Sequence, residues 1–250
     1  MVFGLVGCRR MSGHSKWHNI QKKKGAADAK RGAVFTKLSK AITIAAKNGG
    51  GDPNFNFSLR VAIDNAKVAN MPKDKIQKAI DRGTGEGGAA ELVEVIYEGF
   101  GPGGAAMLIQ CLTDNRNRTV AEVKTIMSKN GGNVGNGGSV MWMFDKKGVV
   151  AFADTSVQDR NAFELAMIDA GAEDIQWDEG GVQIVSKVED LKSVVDNVEA
   201  LGITPDVAGI EYLPNQTVEI VGAEEKEKLE KLVDLLDEYD DVDAIFTNED

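Results

Sequence analysis

The residues from 13 to 47 hold the densest set of groups in this sequence that could bind phosphate. Nine lysines and arginines fall there against a single acid, Asp28, although the whole chain of 250 residues carries a formal charge of −10. Clustered cations bind polyanions and release their counterions, which gives an affinity that depends steeply on salt. A solvated helical face would interleave acids to form i,i+4 pairs, and acids are nearly absent here. The segment therefore predicts contact with nucleic acid.

Two histidines in this segment, His14 and His18, have the i,i+4 spacing that can hold a metal on a helix. No carboxylate adjoins them, and the neighbouring lysines would repel a cation. Trp17 and His18 fit better as groups that stack on bases or touch phosphates among cations. These are the only histidines in the chain, so no histidine outside this basic segment is available as the general base of a hydrolase triad. We predict no metal site, no catalytic residues and no enzymatic activity.

Two glycine patterns resemble a dinucleotide-binding motif. They are Gly83/Gly85/Gly88 and Gly99/Gly101/Gly104. Such a motif needs a strand before it and a helix after it, whereas the first pattern follows a predicted helix and the second precedes a predicted strand. No phosphate-binding loop of the G-x-x-x-x-G-K-[ST] type occurs. The glycines are therefore assigned to linkers and turns, and no cofactor is predicted.

The segment "DNRNRT", residues 114 to 119, places Arg116 and Arg118 before a predicted helix that starts with Thr119 and Glu122 as a capping box. Cations are disfavoured at a helix N-terminus. Either both arginines are exposed without a ligand, or the helix N–H groups and the two guanidinium groups together bind phosphate. In the second case the Gly/Asn-rich loop 131–138 could adapt to the same partner. The sequence leaves both alternatives open.

Charge is divided unevenly along the chain. Residues 1–82 hold 17 Lys and Arg against 5 Asp and Glu, whereas residues 83–250 hold 12 against 34. A basic module joined to an acidic body indicates one part that binds polyanions and another that stays away from them. Two cysteines, one of them Cys111 in an apolar run, fit a reducing compartment. No apolar stretch reaches the length of a membrane span, so we predict a cytoplasmic protein without a membrane partner, with a monomer favoured.

Hydrophobic spacing predicts the elements that must position these residues. Residues 19–82 have helical periodicity, interrupted at Gly49–Gly51 and near Pro72, which predicts about three helices in a basic helical domain over residues 11–82. Beyond the glycine-rich stretch the period shifts toward two, and residues 92–115 are predicted as two strands around a Gly-Pro turn. Residues 1–10 do not have the pattern of a signal peptide, since Arg9-Arg10 follow rather than precede a short apolar piece. We predict that they are a disordered extension or result from a start upstream of Met11.

The remaining elements predict two α/β domains. Residues 148–206 follow a β-α-β-β-α order, and "DVAGIEYL" can supply the last strand of a ferredoxin-like unit. The tail holds a helix with Leu229, Leu232, Val233 and Leu236 on one face, then a strand near 242–247. We predict that 207–250 returns to pack with 83–138, which makes 139–206 an inserted ferredoxin-like domain. The fold class is thus α+β and multidomain.

Several of these motifs, taken in order, resemble one known family. The segments are "GHSKWHNIQ", "DAKRG", "FTKL", "GGDP", "NMPKDKI", "RGTGE", "TDNRNRT" and the "GSV" near residue 140. They are similar to those of the YebC family, over residues 11–250. The resemblance implies an N-terminal helical domain and two α/β domains, the last inserted in the second, with no enzymatic activity.

The resemblance also implies which residues meet nucleic acid. By matching motif these are Lys16, Trp17, His18, Lys22, Lys23, Lys24, Lys30, Arg31 and Lys37, with Arg116 and Arg118 as the signature of the second domain. Lys40 completes the predicted set from the basic segment.

Family members are described as probable DNA-binding transcriptional regulators, while others act in translation at the ribosome. The predicted partner is therefore DNA, with ribosomal RNA as the alternative. The absence of a recognisable helix-turn-helix pattern and the acidic bulk favour RNA as the mechanism. An adaptor that binds only protein would need an acidic partner for residues 13–47.

Overall fold

The structure is a computed structural model, and it describes residues 30–86, 91–178 and 180–250. Its first domain is helical, with α1 at Lys30–Gly49, α2 at Phe57–Val68 and α3 at Lys73–Gly83. The core between these helices is built from small and branched side chains, chiefly Ile42, Ala46, Leu59, Ile63, Ile76 and Ile80. The prediction of a helical domain is confirmed, whereas residues 1–29, including the predicted extension, lie outside the described part.

Helices α1 and α3 approach each other closely at Gly83. A Cβ atom placed on Gly83 would lie 2.4 Å from the Thr43 carbonyl oxygen and 2.7 Å from the Ala46 Cβ. The Thr43 hydroxyl donates a hydrogen bond of 3.0 Å to the Ala79 carbonyl across the same contact. This helix pair therefore depends on a residue without a side chain at position 83.

The second domain is a four-stranded antiparallel sheet covered on one face by two helices. Its strands β1 at Val93–Phe100, β2 at Ala106–Thr113, β3 at Asn133–Val134 and β8 at Val242–Thr247 take the order β3-β1-β2-β8. Helix α4 at Arg116–Lys129 and helix α7 at Ala223–Asp237 pack on this sheet. The core they enclose includes Met107, Ile109, Met127, Leu229, Leu232 and Leu236.

The third domain has the β-α-β-β-α-β order of a ferredoxin-like unit. It consists of β4 at Phe144–Ala153, α5 at Arg160–Asp169, β5 at Ala172–Asp178, β6 at Gly181–Ser186, α6 at Leu191–Ala200 and β7 at Val207–Pro214. The strand order is β5-β6-β4-β7. Phe152 and Phe163 meet edge to face, 5.8 Å between ring centroids, in its core. The α+β fold class with a ferredoxin-like last domain is thereby confirmed.

The predicted end of the inserted domain, between residues 206 and 207, does not coincide with the end of its sheet. Strand β7 pairs with β4 from Val207 opposite Ala151 to Pro214 opposite Phe144. It therefore belongs to the third domain, and the chain returns to the second sheet only after Pro214. There α7 covers the sheet and β8 pairs with β2.

The start of α4 also differs from the prediction. Asn115, not Thr119, is the N-cap, because its side chain accepts a hydrogen bond of 3.1 Å from the Arg118 N–H. Thr119 is buried in the first turn, and its hydroxyl contacts Thr113 and Asp241. Arg116 and Arg118 consequently lie inside the helix rather than before it.

The helical domain contacts both α/β domains. On one side Ile44 of α1 packs with Leu92 and Leu112 of the second domain. On the other side Phe57 and Val61 of α2 pack against the core of the third domain. None of the helices in the described ranges combines the length and the apolar character needed to span a bilayer.

Candidate nucleic-acid interface

Six of the predicted contact residues lie outside the described part of the chain. They are Lys16, Trp17, His18, Lys22, Lys23 and Lys24, and they stay predictions. Lys30 and Arg31 occupy the first described positions of α1, and their side chains are likewise outside the description. The side-chain contacts of the predicted interface can therefore be described for the residues of α1 that follow Arg31.

Three lysines of α1, here called the lysine stripe, share one side of the helix: Lys37, Lys40 and Lys47. Each one binds an acidic or carbonyl oxygen that belongs to, or directly precedes, the second domain. The Lys37 ammonium lies 2.8 Å from Asp237 Oδ1, and the Lys47 ammonium lies 2.7 Å from Glu91 Oε1. Lys40 binds Asp241 Oδ1 at 2.6 Å and the Asp240 carbonyl at 2.9 Å. The predicted nucleic-acid contacts Lys37 and Lys40 are thus engaged within the molecule.

Asp241 is the centre of this contact and is nearly buried, with 6% of its side chain exposed. Its second oxygen, Oδ2, accepts hydrogen bonds from four side chains: Arg118 at 2.9 Å, Thr119 at 2.8 Å, Tyr239 at 3.0 Å and Thr113 at 3.3 Å. Burial alone would raise the pKa of Asp241, but the hydrogen bonds from Lys40, Arg118 and Thr119 outweigh it and hold the pKa well below its ordinary value. The carboxylate is therefore charged at neutral pH.

An open cavity of about 360 Å³ lies between α1 and the start of α4. Its lining includes Thr36, Lys40, Arg118, Glu122 and Tyr239. The cations that face it are already paired with Asp241, so its charges are compensated by groups of the chain itself.

The two arginines of the "DNRNRT" motif differ in their surroundings. The Arg118 guanidinium pairs with Asp114 at 2.8 Å and with Asp241 at 2.9 Å, and these carboxylates raise its pKa. Arg116 is exposed, and its main-chain carbonyl accepts a hydrogen bond from the Tyr97 hydroxyl. The structure thus brings Arg118, but not the Arg116 side chain, into the contact with α1. As phosphate ligands both residues stay predictions.

The loop 131–138 is held by an internal carboxylate. Glu98 of β1 accepts hydrogen bonds from three main-chain N–H groups: Gly138 at 2.6 Å, Val140 at 2.8 Å and Met141 at 2.8 Å. Burial by itself would raise the pKa of Glu98, yet these hydrogen bonds lower it below its ordinary value of 4.5. The N–H groups at the end of this loop therefore already bind an anion supplied by the chain.

A second group of cations, on α3, was not singled out from the sequence. Lys73, Lys78 and Arg82 are exposed, and no carboxylate within the described ranges forms an ion pair with them. Lys78 and Arg82 are spaced i,i+4, on the side of α3 away from the buried Ile76 and Ala79. The i,i+4 spacing of Lys78 and Arg82 was visible in the sequence, but this helix was predicted from its apolar residues and its cations were not considered as phosphate ligands.

Potential metal ligands and the thiol of Cys111 are two kinds of reactive group within the described ranges. Among residues 30–86, 91–178 and 180–250, no group of three or more His, Cys, Asp or Glu is placed to hold a metal ion. Cys111 is a buried thiol, and burial raises its pKa to about 12, which keeps it protonated. His14 and His18 lie outside the described residues.

The fold and the contact surface together define a three-domain α+β protein with a basic helical module docked on two acidic α/β domains. Two family models match it: the TACO1/YebC protein N-terminal domain over residues 15–86, and the TACO1/YebC second and third domain over residues 92–249. The chain belongs to the TACO1/YebC family.

Relatives with similar sequences share most of this chain. A probable transcriptional regulatory protein of Persephonella marina is 48% identical over 239 residues, which cover 95% of each chain. One of Fusobacterium nucleatum is 43% identical over 240 residues, 96% of each chain. The crystal structure of a conserved hypothetical protein from Aquifex aeolicus matches with a TM-score of 0.86 and 41% identity over 94% of this chain and 97% of that one. The two relatives identified by sequence are thus both named as regulatory proteins.

Proposed function

We propose that this chain is a non-catalytic regulator of gene expression that binds nucleic acid through its helical domain, and that it is a DNA-binding transcriptional regulator. The observation that carries the proposal is the division of charge, with 17 Lys and Arg against 5 Asp and Glu in residues 1–82 and 12 against 34 beyond them. The names of the relatives agree with this role. We further propose a cytoplasmic monomer without cofactor or membrane partner.

The surroundings of the lysines indicate which part of the helical domain is available to bind phosphates. The lysine stripe of α1 is engaged by carboxylates, whereas Lys73, Lys78 and Arg82 of α3 face solvent. Phosphate contacts need cations that are not already compensated. The proposed interface therefore combines residues 16–31 with the exposed side of α3.

A ribosome-associated translation factor is the second candidate, favoured by the acidity of the α/β body. Helix α7 carries exposed acids along its length, among them Glu224, Glu227, Glu230 and Asp234. Such a surface would be repelled by a long duplex, and no helix-turn-helix pattern is available to read bases. A small basic module can instead contact structured RNA by shape and phosphate, with the acidic domains turned away.

The first experiment is a competition between the two partners. The purified protein is loaded on ribosomes at near-physiological salt, excess genomic DNA fragments are added, and its sedimentation is followed. The variant Lys22→Glu/Lys23→Glu/Lys24→Glu removes the densest cations. Its matched control, Lys129→Glu/Lys226→Glu/Lys231→Glu, makes the same charge change at exposed positions of the body.

Each result assigns the function differently. If some DNA fragments strip the protein from ribosomes far better than others, the transcriptional assignment holds and those fragments contain its targets. If the protein stays with ribosomes and only the first triple variant is released, the translational assignment replaces it. If the folded protein binds neither, or both triple variants behave alike, the nucleic-acid function is wrong.

A further inference from the structure

We propose that the C-terminal end of α7 is an internal phosphate mimic that covers Lys37 and Lys40. In the closed form seen here, Asp237 and Asp241 hold these two lysines until a nucleic-acid backbone displaces the carboxylates and α1 leaves the second domain. The inference rests on the proposed nucleic-acid function and adds to it a control of access to part of the basic module.

The oxygen atoms around the two lysines resemble those of a phosphate backbone. Lys37 binds both the carboxylate and the main-chain carbonyl of Asp237. Lys40 binds the carboxylate of Asp241 and the carbonyl of Asp240. The Asp237 carbonyl is at the C-terminus of α7, where the helix dipole has its negative end, so Lys37 meets both that end and the Asp237 carboxylate. Lysine ammonium groups form charge-assisted hydrogen bonds with carboxylate and phosphate oxygens alike.

The end of α7 needs cations that it does not supply itself. Its last turn contains no basic residue, although acidic side chains at a helix C-terminus are disfavoured by the dipole. Asp237, Glu238 and Asp240 add further negative charge there. The lysines of α1 compensate this charge, which explains why helix and acids meet at this place rather than elsewhere on the acidic body.

The contact between α1 and the second domain includes the three ion pairs of the lysine stripe. Its apolar part consists of Ile44 with Leu92 and Leu112, joined by the partly buried Ala41. Helix α2 is held separately by the third domain, where Phe57 and Val61 pack against its apolar core and the Arg60–Asp196 ion pair and a hydrogen bond of 3.3 Å from Asn65 to the Ala208 carbonyl add polar contacts. Ionic contacts weaken in competition with other anions and salt. The α1 side can therefore open while the α2 contact acts as the pivot.

Closure lowers the apparent affinity for nucleic acid. When only a fraction of molecules is open, the apparent dissociation constant equals the intrinsic one divided by that fraction. A polyanion opens the molecule only to the extent that it binds the open form more tightly. A variant that weakens the closed form should consequently bind more tightly, although no contact to the nucleic acid has been added.

The test is the variant Asp237→Asn, with Asp234→Asn as its matched control. Both remove one negative charge from α7, but Asp234 has no ion pair with α1 among the described contacts. Binding of fluorescein-labelled 20-base-pair DNA and RNA duplexes is measured by anisotropy at physiological salt. We expect Asp237→Asn to bind about two- to fivefold more tightly than the unaltered chain, as the loss of one ion pair predicts. Asp234→Asn should change far less.

The possible failures differ. If the two variants bind duplex with equal affinity, the proposed phosphate mimic is wrong and the proposed function is unaffected. If the protein binds neither duplex, the phosphate mimic and the nucleic-acid function are both wrong. Binding of only one duplex identifies which nucleic acid supplies the phosphates.

A distance measurement tests the opening itself. Spin labels are placed at Gln77→Cys on α3 and Glu227→Cys on α7 in a Cys8→Ser background; the buried Cys111, with a pKa of about 12, resists labelling. The distance between the labels should increase when duplex is added, and longer distances should appear in Asp237→Asn without duplex. An unchanged distance in both experiments overturns the proposal.

Discussion

The Lys40 ammonium lies 2.6 Å from Asp241 Oδ1, and this contact joins residues that are 201 positions apart in the chain. It links a helix of the basic domain to the turn between α7 and β8, where four further side chains donate hydrogen bonds to Asp241. Because the other oxygen of Asp241 binds α4 and its neighbours, one carboxylate connects the docking of α1 to the interior of the second domain. The predictions below follow from this contact and from the packing around it.

Removing the Asp241 carboxylate should destabilise the second domain. In Asp241→Ala the buried Thr113 and Thr119 hydroxyl groups, together with the Arg118 guanidinium, each lose the charged acceptor that Asp241 provides. We expect a loss of about 2–4 kcal/mol in the free energy of unfolding, typical of a broken network of buried charged hydrogen bonds. Urea denaturation measures it. Asp234→Ala, an exposed acid on α7, should stay within about 0.5 kcal/mol of the unaltered chain.

Stability should fall in acid through Glu98. Its folded pKa lies below the ordinary value of 4.5, so the unfolded chain takes up a proton first as the pH falls. The stabilisation by Glu98 is therefore fully present above about pH 5.5 and is lost progressively as the pH falls through 4.5 and below. Urea midpoints measured between pH 7 and pH 3.5 give the slope. Glu98→Gln should be less stable at pH 7 and show a shallower decline, and an identical slope would contradict this role.

A methyl group at position 83 should separate α1 from α3. The new Cβ of Gly83→Ala would lie 2.4 Å from the Thr43 carbonyl oxygen. This distance is too short for a non-bonded contact, so the main chain of α1 or α3 would have to move. We expect a loss of about 1–3 kcal/mol by overpacking. Gly32→Ala is the matched control, since its Cβ in α1 has no atom within 4 Å. That substitution should stabilise the helix by about 0.5–1 kcal/mol, so opposite signs in thermal or urea unfolding are the expected result.

Each exposed cation of α3 should make its own, additive contribution to phosphate binding. Lys78→Ala should weaken binding similarly for all sequences and reduce the slope of log affinity against log salt by about 1. The measurement is a salt titration of duplex binding by anisotropy. Lys129→Ala, an exposed lysine at the end of α4, should leave the slope unchanged. Equal slopes for Lys78→Ala and the unaltered chain would remove α3 from the interface.

The sequence alone determined the elements and their apolar faces. Stripes such as Leu229, Leu232, Val233 and Leu236, or Phe163 and Met167, recur at the helical period, and the predicted helices and strands are found at these places. Periodicity is sufficient here because it depends only on residues a few positions apart. The division of charge along the chain was equally accessible, since it is a property of composition.

Tertiary structure decided which charges meet. The i,i+3 spacing of Lys37 and Lys40 marked one side of a helix but carried no information about its partner, and the acids that cover it come from the distant C-terminal turn. For the same reason the capping residue of α4 was misassigned. Thr119 has the sequence pattern of a cap, but burial against Asp241 leaves that role to Asn115. An ion pair depends on where chain folding brings its two partners, and local spacing does not encode that position.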